Sequence, residues 1–167
     1  MTQKSPRPRC HTFTPEKLPA ATAEQLVEIE LRNMAPVLEA MGISLTSEKV
    51  REGLAAARQV IVVMQHARAL GFLTFSLSAP KTAFVKSIQV RHEGGNAWVL
   101  FRLLREAARL LSTNGVETVT SVVQRTNPHS LDLHRQLGFI AEKEFAQAIR
   151  FTIPAAALAR KILRKEA

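Results

Sequence analysis

Residues 83–124 read as strand, long helix, strand, and that order narrows the fold more than any other feature of the chain. "AFVKSIQV" is a β-rich run. "GGNAWVLFRLLREAARLLSTNG" follows, with Leu100, Leu103, Leu104, Ala107, Leu110 and Leu111 on one side at helical spacing and Gly115 just past the end. "VETVTSVVQ" is again a strand. Two strands joined through such a helix pair in parallel, because a parallel pair needs a crossover no tight turn can supply. The crossover is right-handed in nearly all such units.

The rest of the chain supplies antiparallel partners. A strand at about 9–14 comes first. "AATAEQLVEIELRNM" mixes Leu26, Val27, Ile29 and Leu31 with acids at helical spacing. Pro36 is expected to kink or interrupt this helix, since it lacks an N–H and crowds the preceding turn. "SEKVREGLAAARQ" reads as a second helix capped by Thr46 or Ser47. In "VIVVMQHARALGFLTFSLS" two β-rich runs flank a short polar connection, the pattern of a hairpin, and 83–90 adds a third strand. Beyond 124 come a short helix at 128–137, two strands in "FIAEKEFAQAIRFTI", and a terminal helix with Pro154 in its first turn. The expected class is α+β (α/β/α): a mixed, mostly antiparallel sheet of six to seven strands flanked by helices. One domain spans 1–167, with 1–8 a basic arm and 154–167 a C-terminal helix.

Composition sets the outer limits. A chain of 167 residues, 46% hydrophobic and 22% charged, holds one globular core. Cys10 is the only cysteine, so no intramolecular disulfide forms, and it reads as a packed thiol rather than a nucleophile. The N-terminus lacks the apolar stretch of a secretory signal, and the run "VIVVM" is far short of a membrane span. A cytoplasmic protein with no membrane partner is expected. The net charge of +9 admits nucleic acid, an acidic surface or a small polyanion as partner. Its clusters are Lys4, Arg7 and Arg9; Arg102, Arg105 and Arg109; and Arg160, Lys161, Arg164 and Lys165. With no tyrosine and no basic run interleaved with aromatics, a stacking surface for nucleic acid is the least favoured of the three.

Two stretches carry chemistry. In "SIQVRHEGGNAWVLFRLL" a strand ends at Val90 and a helix begins near Gly95 or Asn96 after a glycine turn. The first turn of a helix has unpaired N–H groups and partial positive charge, and glycines let an anion approach them closely. One strand later, "TNPHSLDLHRQLGF" puts Asn127, Ser130 and His134 on one helical face. Asn127 also suits an N-cap ahead of Pro128, Gly138 stops the helix, and Phe139 starts the next strand as a core residue.

The element order from about residue 9 to 153, together with these two stretches, resembles the GCN5-related N-acetyltransferase (GNAT) superfamily. The family's phosphate loop, Q/R-x-x-G-x-G/A, fits in two registers. One takes Arg91, Gly94 and Asn96; the other takes His92, Gly95 and Ala97, with His92 where Gln or Arg is usual. The family's second motif, roughly N-x-x-A-x-x-x-Y-x-x-x-G-F, is matched by Asn127, Ser130, His134, Gly138 and Phe139.

The resemblance implies the acyl-CoA N-acyltransferase fold and direct transfer of an acetyl group from acetyl-CoA to an amine, with no metal. It assigns the pantetheine arm to the main chain of Ile88, Gln89 and Val90. The diphosphate goes to Arg91, His92, Gly94, Gly95, Asn96 and Ala97, and further cofactor contacts go to Asn127 and Ser130. His134 stands where the family has a tyrosine that protonates the departing thiolate. An imidazole of pKa near 6.5 is about a quarter protonated at pH 7, so an acid role would carry a pH dependence. Many family members keep a glutamate base on the fourth strand, but "AFVKSIQV" has no acid. Glu28, Glu30, His66, His92 and Glu93 lie on other elements, so no base is assigned. Trp98 is expected as a core anchor. The acceptor, a small-molecule amine, a peptide N-terminus or a protein lysine, has no signature, and its pocket is expected between the first two helices and the last hairpin. Family members are often dimers. The competing readings are a coenzyme A-binding protein of the same fold without catalysis, and a basic nucleic-acid-associated domain.

Overall fold

Val60, Ile61, Val62 and Val63 are consecutive and each is 0% exposed, which a strand achieves only when both faces of its sheet are covered. The computed structural model describes residues 7–92 and 96–164. The strands are β1 (Arg9–Phe13), β2 (Gln59–Gln65), β3 (Arg68–Ala79), β4 (Thr82–Val90), β5 (Thr118–Gln124), β6 (Ile140–Glu144) and β7 (Ala148–Pro154). They form one seven-stranded sheet in the order β1-β2-β3-β4-β5-β7-β6. All neighbours are antiparallel except β4 and β5. The parallel pair is the one that the strand-helix-strand order demands.

Each face of the sheet has its own apolar cluster. Leu26, Val27 and Ile29 of α1 (Ala20–Glu39) and Val50 and Leu54 of α2 (Ser47–Ala55) pack on Val60, Val62 and Phe72. Val99, Leu103, Ala107 and Leu111 of α3 (Asn96–Thr113) and Leu158 and Ile162 of α5 (Ala155–Leu163) pack on Ile61, Val63, Leu73 and Phe75. Alternate residues of β2 and β3 thus feed opposite layers, as the period of two requires. Thr46 caps α2, its side chain accepting from Lys49 N–H at 3.3 Å.

Two expectations are corrected. Pro36 does not end α1, which continues to Glu39. The proline lacks the N–H that would reach the Arg32 carbonyl, and a single further turn follows it before the helix ends. Trp98 is not a core anchor: it is 43% exposed, with the Arg102 guanidinium 5.2 Å from its ring centroid. Val99, Leu103, Ala107 and Leu111 take the inward stripe of α3, and a residue one step from Val99 is turned about 100° away from it.

Where β4 meets β5 the sheet opens. Their parallel ladder runs only from Thr82↔Thr118 to Val85↔Ser121. Opposite this end the β3–β4 register shifts: Thr74 faces Ser87 and Phe75 faces Val85, leaving Lys86 as the extra residue of a bulge. A bulge bends its strand and sharpens its twist, so the last residues of β4 diverge from β5.

Gly71 fixes how closely α3 approaches this region. A Cβ there would lie 2.7 Å from the Gln89 carbonyl oxygen and 2.9 Å from Val99 Cγ1. Gly71→Ala is therefore expected to cost about 1–3 kcal/mol in denaturant unfolding. At Gly53 a Cβ would meet only the mobile end of Lys86, 2.9 Å from Nζ. Gly53→Ala in α2 should be neutral or stabilising by up to about 1 kcal/mol in the same measurement.

Candidate active site

A cleft of about 630 Å³ fills the opening between β4 and β5. That is within the usual range for sites holding small molecules. β4 contributes Ile88, Gln89 and Val90; β5 contributes Val122 and Gln124; α4 (Pro128–Leu137) contributes Ser130, Leu133 and His134. Asn33, Met34 and Val37 of α1 lie over it, and His92 and Leu100 line the end nearest the first turn of α3.

The β4 main chain explains why this cleft suits a polar ligand. Arg91 N–H donates to Leu70 O at 2.9 Å, so residue 91 faces β3. Strand alternation then turns Gln89 to β3 as well, and Ile88 and Val90 toward the cleft. Past Val85 the β5 ladder has ended, so among the described residues the N–H and C=O of Ile88 and the N–H of Val90 have no partner on β5. The Val90 carbonyl is already occupied, accepting from Asn33 Nδ2 at 3.0 Å. The expectation for Gln89 is thereby revised: its main chain is spent on β3, and it reaches the cleft through its side chain.

Of the expected phosphate-loop residues, Gly94 and Gly95 lie outside the described residues. Ala97 is exposed in the first turn of α3, and α3 starts at Asn96. His92 is exposed and lines the cleft. Arg91 is engaged elsewhere. Its Nε donates to Ala69 O at 2.6 Å and its guanidinium pairs with Glu28 at 3.3 Å, the side chain only 11% exposed. A guanidinium held by two partners ties β4 to β3 and α1 rather than standing free for an anion.

α4 is built as its sequence implies. Asn127 caps it, accepting from Ser130 N–H at 3.2 Å, and Pro128 follows at the first helical position. Gly138 closes it in the left-handed region at φ 93°. Asn127, Ser130 and His134 all line the cleft. Thr126 joins the start of α4 to the cover of the cleft, its hydroxyl donating to Val37 O at 2.9 Å.

His134 differs from its expected environment. It is only 6% exposed and packs against the rings of Phe139 and Phe151, at centroid distances of 4.9 and 5.2 Å. Its Nδ1 lies 2.7 Å from the Ser130 carbonyl oxygen, which can only accept, so Nδ1 carries a proton and Nε2 is left with the lone pair. Desolvation lowers its pKa below the ordinary value, and the bond to Ser130 only partly opposes this. The protonated fraction at neutral pH therefore falls below the quarter expected of a solvated imidazole. Cys10 lies outside the cleft, and burial pushes its thiol up to about 11, consistent with a packed rather than reactive group.

Sequence reasoning missed Asn33, Lys86 and Ser87. Asn33 sits on the mixed polar face of α1, where nothing marks it, and Ser87 is one of several small polar residues on strands. Glu30 was visible as a candidate, but its neighbours were not. Its carboxyl is raised by desolvation, opposed by Lys86 and by a hydrogen bond to Ser87.

No family model matches the sequence, and no curated protein matches it at the level of sequence. Solved structures do match in fold. The PaiA N-acetyltransferase from Thermoplasma acidophilum, in complex with coenzyme A, gives a TM-score of 0.67 at 14% identity, over 89% of this chain and 99% of that one. Aminoglycoside 6′-acetyltransferase type Ii gives 0.69 at 16% identity, over 88% and 97%. The ribosomal-protein-S18-alanine N-acetyltransferase from Escherichia coli gives 0.65 at 15% identity, over 88% and 94%.

The burial of His134 has a consequence for stability. In the unfolded chain it protonates near pH 6.5, whereas the folded state resists the proton to lower pH. Stability should thus fall as pH drops through and below about 6.5, because the unfolded state binds more protons there. Melting temperatures of wild type and His134→Gln, measured from pH 8 to 5, should show a smaller acid loss in the variant; equal losses would refute the assignment.

A seven-stranded sheet of this order, opened where its parallel pair parts, gives the chain the same fold as these N-acetyltransferase structures.

Proposed function

We propose that the protein is an acetyl-CoA-dependent N-acetyltransferase that transfers an acetyl group directly to an amine. The observation that carries this reading is the set of main-chain groups on Ile88 and Val90 left without ladder partners in a cleft faced by α4. Unpaired buried main-chain groups are costly unless water or a ligand satisfies them, and an extended amide-bearing arm can replace the lost strand neighbour. The coenzyme A complex of the Thermoplasma structure supports the choice of cofactor. The acceptor class stays at the level of an amine, since the structural neighbours act on acceptors as different as an aminoglycoside and a ribosomal protein.

The residues then take the following parts. Ile88 and Val90 hold and orient the pantetheine arm, and the first turn of α3 with His92 receives the diphosphate. Asn127 and Ser130 border the arm from α4. The bound cofactor supplies an activated acetyl group as its thioester. His134, neutral with Nδ1–H anchored on Ser130, offers Nε2 as a shuttle: it takes a proton from the reacting amine nitrogen and returns it to the departing sulfur. This differs from a resting acid in its pH dependence. A shuttle needs the neutral imidazole, so its contribution is lost as pH falls through the lowered pKa and is flat above it.

The test combines binding and turnover. Acetyl-CoA and coenzyme A should raise the melting temperature, while a short oligonucleotide should not. Thiol release over an amine panel should then reveal transfer; binding without any release would leave a coenzyme A-binding protein. His134→Ala should lower kcat about 10²-fold while changing acetyl-CoA affinity less than about 3-fold. A wild-type rate that declines as pH rises from 6 to 8, with the decline abolished in His134→Ala, would restore the resting-acid role instead.

A further inference from the structure

A second, smaller hollow lies behind the cleft, on the α3 side of the sheet. Its volume is about 30 Å³, and ten apolar side chains and the ring of His134 line it. Leu73, Ala107, Leu111, Phe139 and Leu158 among them belong to the core cluster beneath α3 and α5. Voids of this kind are few in a close-packed core, because every wall forfeits dispersion contacts. Water gains little by entering, since leucine walls offer it no hydrogen-bond partners.

The position of the hollow matters more than its size. Val85, Ile88, Leu133 and His134 line both it and the cleft, so the two share one wall. In the transferase reading that wall is the reacting end. Ile88 orients the pantetheine arm and His134 serves the departing sulfur, which puts the thioester carbon between them and beside the hollow. Helix α1 covers the cleft from the opposite face of the sheet, through Asn33, Met34 and Val37, and the amine approaches from there.

We infer that the hollow receives the tail of the transferred acyl group, and that the protein thereby selects its donor by chain length and polarity. The inference rests on the transferase reading and specifies its donor class as short, uncharged acyl thioesters. About 10–15 Å³ admits one water-sized group, so 30 Å³ takes about two carbons beyond the carbonyl. Acetyl and propionyl fit, and butyryl is one methylene too long. A succinyl tail would strand its carboxylate among leucines. The transfer is the same for either donor: the amine nitrogen forms the C–N bond, the C–S bond breaks, and one proton passes from nitrogen to sulfur. Leu104 and Ala107, neighbours on one face of α3, line the hollow but not the cleft. They set its depth without touching the cofactor arm.

The experiment uses the full chain with coenzyme A and its acetyl, propionyl, butyryl and succinyl thioesters. Melting temperatures report binding, and kcat/KM is then compared across the donors with the best amine of the panel. Wild type should use propionyl-CoA within about 5-fold of acetyl-CoA, and the butyryl and succinyl donors about 10-fold less well or worse. Ala107→Val, which fills the hollow, should lower the propionyl-to-acetyl ratio about 10-fold. Leu104→Ala, which deepens it, should raise the butyryl-to-acetyl ratio by about the same factor. Each ratio is internal to one variant, so a general loss of stability or turnover does not move it. Should one variant fail to fold, the other decides; should neither fold, the wild-type donor series does. Unchanged ratios in a folded variant, or a wild type that uses butyryl-CoA as well as acetyl-CoA, overturn the acyl hollow while the transferase reading stands. If no amine is acylated by any donor, the transferase reading fails and the melting series alone tests the hollow. Propionyl-CoA should then protect as well as acetyl-CoA and butyryl-CoA less than either, and equal protection by all three overturns it.

Discussion

The site depends on the termination of one ladder. β4 and β5 hydrogen-bond through Val85 and Ser121 and then part. Ordinarily a strand that loses its neighbour inside a sheet incurs the full cost of its unpaired amides and carbonyls. Here the bulge at Lys86 imposes the divergence, the β5–β7 ladder holds the far wall through Gln124↔Ala148, and α1 covers the mouth. The opening is thus an enforced feature of a well-packed sheet rather than a loose edge.

Helix α1 does more than cover. Asn33 ties it to the end of β4, and Val37 accepts the Thr126 hydroxyl from the approach to α4. Pro36 sits between these two anchors, close to the carbonyls a terminating helix leaves unpaired. The Thr126 bond satisfies one of them and fixes the distance between the two walls. The polar residues of α1 are consequently divided between holding the cleft and addressing whatever enters it.

Much of this was legible in the sequence. The crossover, both caps of α4, the inward stripe of α3 and the parallel pair followed from spacing and from the chemistry of Asn, Pro and Gly at helix ends. The unread parts share a cause: they depend on which neighbour a residue meets across the fold. Arg91 looked like an anion ligand, but Ala69 and Glu28 claim it. His134 looked like a solvated imidazole, but Phe139 and Phe151 enclose it. Trp98 looked like core because large aromatics usually are, and a one-residue offset from Val99 put it outside. The bulge at Lys86 leaves no local mark, since a lysine among β-formers reads equally well as an edge or outward residue.

The two apolar clusters lie on opposite faces of the sheet and have no member in common. α1 and α2, which would meet an acceptor, rest on one; α3, which would receive the diphosphate, rests on the other. Remodelling of the α1–α2 face can therefore proceed without loosening the support of α3, so long as the β3–β4 seam is kept. A fold partitioned in this way can vary one layer while the other stays fixed, and for a protein engineer the first two helices are the natural place to begin.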